Sequence, residues 1–228
     1  MKTRSRAPEI MDDLQMEGPE LRNTLKVLAR INAFLGGDKV TSIGIKRALK
    51  GSTEKKGLHI VDLGCGEGSQ LRMLARYSRK RGLEWKFTGV DANADCVKFA
   101  RERSLDYPEI EYLQQDVFSW EAPECDLVIA TLFMHHFSDE QIIELITHYK
   151  PKLKIGWVIN DLHRSPLAYG LFWLLSLFMG NSMVRNDGLL SIKKGFKKKE
   201  LYNLAIPNGF TSKVSWHWAF RFLWILKK

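Results

Sequence analysis

One stretch, His59-Ile60-Val61-Asp62-Leu63-Gly64-Cys65-Gly66-Glu67-Gly68, constrains this chain more than any other. The mostly apolar run from Leu58 to Leu63 reads as a short buried strand. Gln70-Leu71-Arg72-Met73-Leu74-Ala75 after it has the apolar spacing of a helix. Strand, glycine turn and helix bring bare backbone N–H groups and a helix N-terminus up against a ligand. Glycine is needed there because a Cβ would obstruct both the turn and the ligand's approach. Asp62 separates this loop from a dinucleotide site, since a carboxylate just ahead of the first glycine repels a pyrophosphate but can hold a cationic amino-acid headgroup. The spacing Gly64-x-Gly66-x-Gly68 also departs from the G-x-G-x-x-G of dinucleotide folds.

Short strands then recur between helical stretches. Trp85 to Val90 is the next and ends in Asp91, where a carboxylate at a strand's carboxyl end can accept both hydroxyls of a ribose. Ile110 to Leu113 is the third, followed by Asp116-Val117, an acid and an apolar residue suited to an adenine amino group and ring. Asp126 to Thr131 is the fourth and runs into Leu132-Phe133-Met134-His135-His136-Phe137, after which Ser138 and Gln141 form a capping box. Ile155 to Asn160 is the fifth and leads into Asp161-Leu162-His163-Arg164. This alternation predicts an α/β fold, an open parallel sheet with helices on both faces.

Val61-Asp62-Leu63-Gly64-Cys65-Gly66-Glu67-Gly68 resembles the first motif of the class I S-adenosylmethionine-dependent methyltransferases, and Asp116-Val117 again resembles that family's pattern. Ser191-Ile192, Phe196 and Glu200-Leu201 are similar to the approach to the last helix in many small-molecule methyltransferases. The resemblance implies a Rossmann-like, doubly wound, seven-stranded sheet, mostly parallel with one antiparallel strand near the C-terminus. It implies S-adenosyl-L-methionine as cofactor and S-adenosyl-L-homocysteine as product. Asp62, Gly64, Cys65, Gly66, Asp91, Ala92, Asp116, Val117 and Thr131 are the cofactor-binding residues it implies. A single domain results: 1–50 as N-terminal arm and capping helices, 57–160 as cofactor core, 161–195 as hydrophobic lid or acceptor insertion, and 196–228 as last helix and closing strands.

The flanks add less regular signals. Residues 1–18 read as a mobile arm whose Ile10, Met11, Leu14 and Met16 have the makings of an amphipathic turn over a pocket. A helix opens at Pro19-Glu20, and a second follows Thr41 or Ser42 to about Leu49. Leu167 to Met179 is apolar almost without interruption yet too short to span a bilayer, for which roughly 20 residues are needed. It reads as a buried helix or lid, a wall of an apolar acceptor pocket, or a surface that dips into membrane. Val214 to Ala219 and Phe220 to Leu226 read as closing strands, with core packing accounting for the aromatic run Trp216, Trp218, Phe220, Phe222 and Trp224.

Charge is unevenly placed. Positions 150–228 carry 14 Lys/Arg against 3 Asp/Glu, whereas 57–149 carry 9 against 16. The basic third reads as a solvated face, or as attraction to an anionic membrane or substrate. No base-reading module accompanies it, so nucleic acid is not expected. Cys65, Cys96 and Cys125 lack paired or metal-type spacing, which points to reduced thiols and a cytoplasmic setting. No apolar signal segment follows the basic residues Met1 to Arg6.

Methyl transfer from a sulfonium needs alignment and a deprotonatable acceptor rather than a metal, and no zinc-type ligand spacing is present. His163, just past the fifth strand, is the first candidate for a general base, and His135, just past the fourth, the second. Asp161 is placed to orient an imidazole, and Arg164 to hold an anionic oxygen. The expected activity is O-methylation of a small hydrophobic acceptor, a phenolic, quinone or polyketide- or lipid-like compound of secondary metabolism. C-methylation, a non-catalytic cofactor-binding protein and a Rossmann oxidoreductase are the alternatives. Thr131-Leu132-Phe133-Met134 stands where an Asn-Pro-Pro-Tyr-like run would mark methylation of planar amides or bases.

Overall fold

The computed structural model describes residues 1–50 and 56–228. Positions 51–57 read in sequence as a polar linker between the second helix and the first strand, and 51–55 of it lie outside the described residues. Seven strands form one sheet: β1 (His59–Leu63), β2 (Lys86–Asp91), β3 (Ile110–Gln114), β4 (Cys125–Thr131), β5 (Leu153–Leu162), β6 (Thr211–His217) and β7 (Arg221–Lys227). Their order is β3-β2-β1-β4-β5-β7-β6. The first five pair in parallel, and β7 runs antiparallel to both of its neighbours. This is the expected mostly parallel sheet. Its strand order reverses between β1 and β4, where ligands of open α/β sheets bind beyond the strands' carboxyl ends.

Among the described residues eight helices flank the sheet: α1 (Pro19–Phe34), α2 (Gly37–Ala48), α3 (Ser69–Arg79), α4 (Ala94–Glu102), α5 (Asp139–Tyr149), α6 (Pro166–Ser176), α7 (Ser182–Lys194) and α8 (Lys198–Ala205). Strand residues alternate between two cores, as the two-residue period of a strand requires. Ile60, Ile129, Val158 and Leu223 face α2, α3 and α4. Val61, Val128, Trp157 and Trp224 face α5 and α8. With both faces covered, the parallel strands read as nearly continuous apolar runs. A Cβ at Gly44 would strike Val158 and Leu223, so a bare helix surface lets α2 lie directly on β5 and β7.

Several boundaries differ from the sequence reading. The helix expected after Thr41 begins at Gly37, because Gly36 adopts a left-handed turn and the Thr41 hydroxyl is bonded to Thr131 and Asn160 instead of capping. β5 runs on through Asp161 to Leu162, in register with β7. The aromatic run divides: Phe222 and Trp224 are core, whereas residues 218–220 make the β6–β7 turn and leave Trp216 and Trp218 exposed. The apolar stretch from Leu167 forms α6, and instead of being buried it exposes most of its large side chains.

The arm expected to be mobile is docked along the sheet's carboxyl edge, its backbone partners supplied by other elements. The fully buried Arg164 guanidinium donates to the carbonyls of Met1 and Lys2, to Gly195 O at 2.6 Å and to Glu200. Arg4 donates to the carbonyls of Lys194, His135 and Phe137. The Asp187 carboxylate accepts from the N–H groups of Ile10 and Met11, and Asn93 donates to the carbonyls of Leu14 and Met16. Removing this guanidinium takes its hydrogen bonds from the carbonyls of Met1, Lys2 and Gly195, which is expected to cost about 1–3 kcal/mol. Arg164→Ala should therefore lower the melting temperature and speed trypsin cleavage after Arg4 and Arg6, as read by limited proteolysis.

Candidate active site

The glycine loop leaves β1 with Gly64, Gly66 and Gly68 at φ of 67°, 52° and 77°, a region that disfavours any side chain. The space is also taken, since a Cβ at Gly64 would enter the Phe133 ring and one at Gly68 the Tyr112 hydroxyl. The N–H groups of Gly64 and Cys65 donate to Val90 O at 2.9 and 3.1 Å, which holds the turn against β2. Cys65 is buried, and burial pushes its thiol well up.

Three acids stand at the ends of β1, β2 and β3. Asp62 is buried and accepts no hydrogen bond among the described residues; burial, with Asp91 nearby, raises its pKa well above the carboxylate range. A cationic ligand group would relieve that cost. Asp91 takes the Gly66 N–H at 2.9 Å on one oxygen and the Asn93 N–H at 3.0 Å on the other, so it shapes the glycine loop as well as facing it. Burial raises Asp91 too, against the pull of those N–H bonds. Asp116 accepts from Phe118 N at 3.0 Å in an exposed turn, beside the buried Val117. Ala92 follows Asp91 half-buried, and Thr131 ends β4 with its hydroxyl 3.1 Å from that of Thr41. A bare glycine turn beside an unpaired buried carboxylate fits S-adenosylmethionine, which carries both an ammonium and a sulfonium.

Beyond β4 the chain folds a short 3-10 turn, Met134–His136, that carries both histidines. His135 is buried, and its Nδ1 lies 2.7 Å from Asp161 Oδ1 while its N–H donates to Asp161 Oδ2 at 3.1 Å. Its Nε2 is buried without a hydrogen bond and sits 3.7 Å from Glu9 Oε1, another unbonded buried atom. Burial pushes Glu9 up, against the pull of His136 and Lys194. His136 binds Asp12 through Nδ1 at 2.6 Å, and against burial this contact holds Asp12 far below its ordinary range. The two histidines are adjacent in the chain, a spacing that puts neighbouring side chains in different directions. Even so, both present Nε2 towards Glu9, and the three residues bring ligand atoms within 4.8 Å of one another. The Lys194 ammonium already lies 3.4 Å from Glu9 and 3.0 Å from Asp12, supplying the cation of this cluster.

His163 stands apart from that group. Its N–H donates to Phe220 O at 2.8 Å and its ring meets Phe222 edge-on, centroids 4.9 Å apart, with Nδ1 buried and unbonded. Asp161 orients His135, not His163, and Arg164 is consumed by the arm and Glu200 rather than free for an anionic oxygen. Glu9, Asp12 and Lys194 are the members that sequence reasoning missed; Glu9 and Asp12 pair locally across a short turn, but the contacts that bring them to His136 and Lys194 span more than a hundred positions.

Residues 60–156 match the family described as Methyltransferase domain. The trans-aconitate 2-methyltransferase of Azoarcus sp. (strain BH72) is 32% identical over 95 residues, 40% of this chain and 35% of that protein. The 2-phytyl-1,4-naphtoquinone methyltransferase of Thermosynechococcus vestitus is 39% identical over 64 residues, 28% of this chain and 27% of that protein. The matches thus span about a third or less of these curated relatives. Among solved structures, the plantazolicin methyltransferase in complex with a pentazolic desmethylPZN analog and SAH superposes with a TM-score of 0.68 at 15% identity, covering 92% of this chain and 97% of that one. At that identity the likeness shows the fold.

Burial, followed by Lys197 and Arg164, lowers the pKa of His163. The unfolded chain then takes up a proton near pH 6.5 that the folded one refuses, so this residue costs stability as pH falls below that value. In melting curves from pH 7 to 5, the melting temperature of His163→Gln should gain on that of the parent as pH drops.

Proposed function

We propose that this chain, which contains a class I S-adenosylmethionine-dependent methyltransferase domain, moves the methyl group of that cofactor to an oxygen of a small hydrophobic acceptor of phenolic, quinone or polyketide- or lipid-like type. When bound, the cofactor supplies a methyl group on a sulfonium, ready for in-line displacement. Asp62 would hold its ammonium, Asp91 its ribose hydroxyls, and Asp116 with Val117 its adenine. Gly64, Cys65 and Gly66 would pass under it, with Ala92 and Thr131 at its sides.

The observation that carries the choice of oxygen is the buried pair of Asp161 and His135, 2.7 Å apart, with Nε2 left unbonded. A carboxylate on Nδ1 fixes the tautomer and orientation of the ring and stabilises the imidazolium formed when Nε2 takes a proton. His135 would take the proton of the acceptor hydroxyl as the oxygen attacks, and Glu9 would steady the charged ring from across 3.7 Å. The reading therefore favours His135 over His163 as the base. The apolar α6 supports a hydrophobic acceptor, as does a relative named for a phytyl naphthoquinone. In this reading the protein is cytoplasmic and works against the periphery of an anionic membrane.

Titration calorimetry with S-adenosylhomocysteine tests the cofactor half: the parent should bind at micromolar concentration and Asp91→Ala should lose binding. Transfer of labelled methyl from S-adenosylmethionine to a panel of phenols, hydroquinones and trans-aconitate tests the acceptor half. Transfer to trans-aconitate alone would overturn the hydrophobic class. With a turned-over acceptor, His135→Ala should lower kcat by about a hundredfold or more while leaving S-adenosylhomocysteine affinity unchanged. An unaltered kcat would remove His135 from the mechanism.

A further inference from the structure

We infer that α6, together with the aromatic tip of the β6–β7 hairpin, is a docking surface for an anionic lipid bilayer. The inference rests on the apolar acceptor reading above and supplies the route by which such an acceptor arrives. Positions 165–184 contain no charged residue. Within them α6 packs on α7, Phe172 filling the space over Gly188. Its outward side leaves Leu167, Leu171, Trp173 and Leu174 in solvent. Leu177 and Phe178 extend the patch beyond the helix, with Phe178 84% exposed. Exposed large apolar side chains gathered on one short helix and its end mark an interaction site on a folded chain.

Two features give it a lipid partner rather than a protein one. The first is the sign of its rim. The Lys193 ammonium lies 4.9 Å over the Tyr169 ring of α6, and Arg185 lines the groove beside Ser176 and Leu177 at the other end. Lys197, Lys198 and Lys199 follow in sequence. The acids near them are already engaged: Asp187 is buried on the N–H groups of Ile10 and Met11, and Glu200 is paired with Arg164. A two-fold contact between copies would set this cationic rim against itself. An anionic headgroup layer is attracted by it, and the acyl boundary takes the apolar face.

The second feature is aromatic placement. His163 N–H is bonded to Phe220 O, and Ser165, two residues on, caps α6. The hairpin tip and α6 thus share one edge of the sheet. Trp218, 63% exposed, and Trp216 stand at that tip, and Trp173 stands on α6, the residue type that settles at headgroup depth. No helix among the described residues is long and apolar enough to cross a membrane, so this surface lies on the bilayer rather than spanning it. The same edge carries the carboxyl ends of β4 and β5, so the candidate site opens beside the lipid.

The test is co-sedimentation of the full chain with vesicles of phosphatidylcholine, with and without phosphatidylglycerol, alongside a Leu174→Glu/Phe178→Glu variant. Melting curves and calorimetric titration with S-adenosylhomocysteine accompany both proteins. The parent should bind the phosphatidylglycerol vesicles at low salt with a blue shift of tryptophan emission. Binding should fall roughly tenfold or more without the anionic lipid or at about 0.5 M salt. The variant should lose binding by a similar factor while keeping its melting temperature and ligand affinity. Equal binding by parent and variant, no binding of the parent at low salt, or a soluble dimer dissolved by the variant without any lipid binding would each overturn the inference. Vesicle binding by a parent that does not bind S-adenosylhomocysteine would leave the docking surface standing and remove the methyltransferase reading alone.

Discussion

Asp161 accepts hydrogen bonds from His135 Nδ1 at 2.7 Å, from His135 N at 3.1 Å and from Leu162 N at 2.7 Å, all in a fully buried position. Burial alone would raise this carboxyl, but His135 and those bonds bring it below its ordinary range, so it stays ionised inside the fold. Its charge joins the turn after β4 to the end of β5 and decides which nitrogen of His135 remains available. The second nitrogen, Nε2, is thereby left facing Glu9 of the arm at 3.7 Å.

The residue before Asp161 does complementary work on the other side of the sheet. Asn160 donates to Gly37 O at 2.9 Å and Thr41 Oγ at 3.0 Å, anchoring the first turn of α2. Because successive residues of a strand face opposite ways, two neighbouring polar side chains hold two different layers to the end of one strand. The pair is tolerable at that depth because Asp161 accepts three hydrogen bonds and Asn160 Nδ2 donates two, although Asn160 Oδ1 is buried without a partner among the described residues. β5 is therefore both the hydrophobic middle of the sheet and its polar clamp.

What could be read from the chain was local or periodic. Glycines at alternate positions, acids at successive strand ends and apolar strand runs each report on their own few residues, and these define the sheet and the glycine loop. Which of two histidines past neighbouring strands meets Asp161 is a question of distance across the sheet edge, and His163 and His135 look alike in one dimension. Glu9, Asp12 and Lys194 carry no signal at all, since an acid in a polar arm is indistinguishable from a solvated one until its partner is placed. The stretch from Leu167 misled in the opposite sense. Its composition announces apolar contact but not what provides it, and the rest of the chain does not.

The docked arm also has a consequence for the order in which the molecule is made. Arg4 bonds the Lys194 carbonyl across a separation of 190 positions, and Arg164 bonds the Met1 and Lys2 carbonyls across 163 and 162. Contacts that far apart carry the greatest loop-closure cost and form late. During synthesis the arm's contacts with α7, among them the ion pair of Glu9 with Lys194, have to wait until that helix has been made. The glycine loop and strands β1 to β5 precede that helix in the chain and can pair before the arm is fastened to it, whereas β6 and β7 join the sheet later.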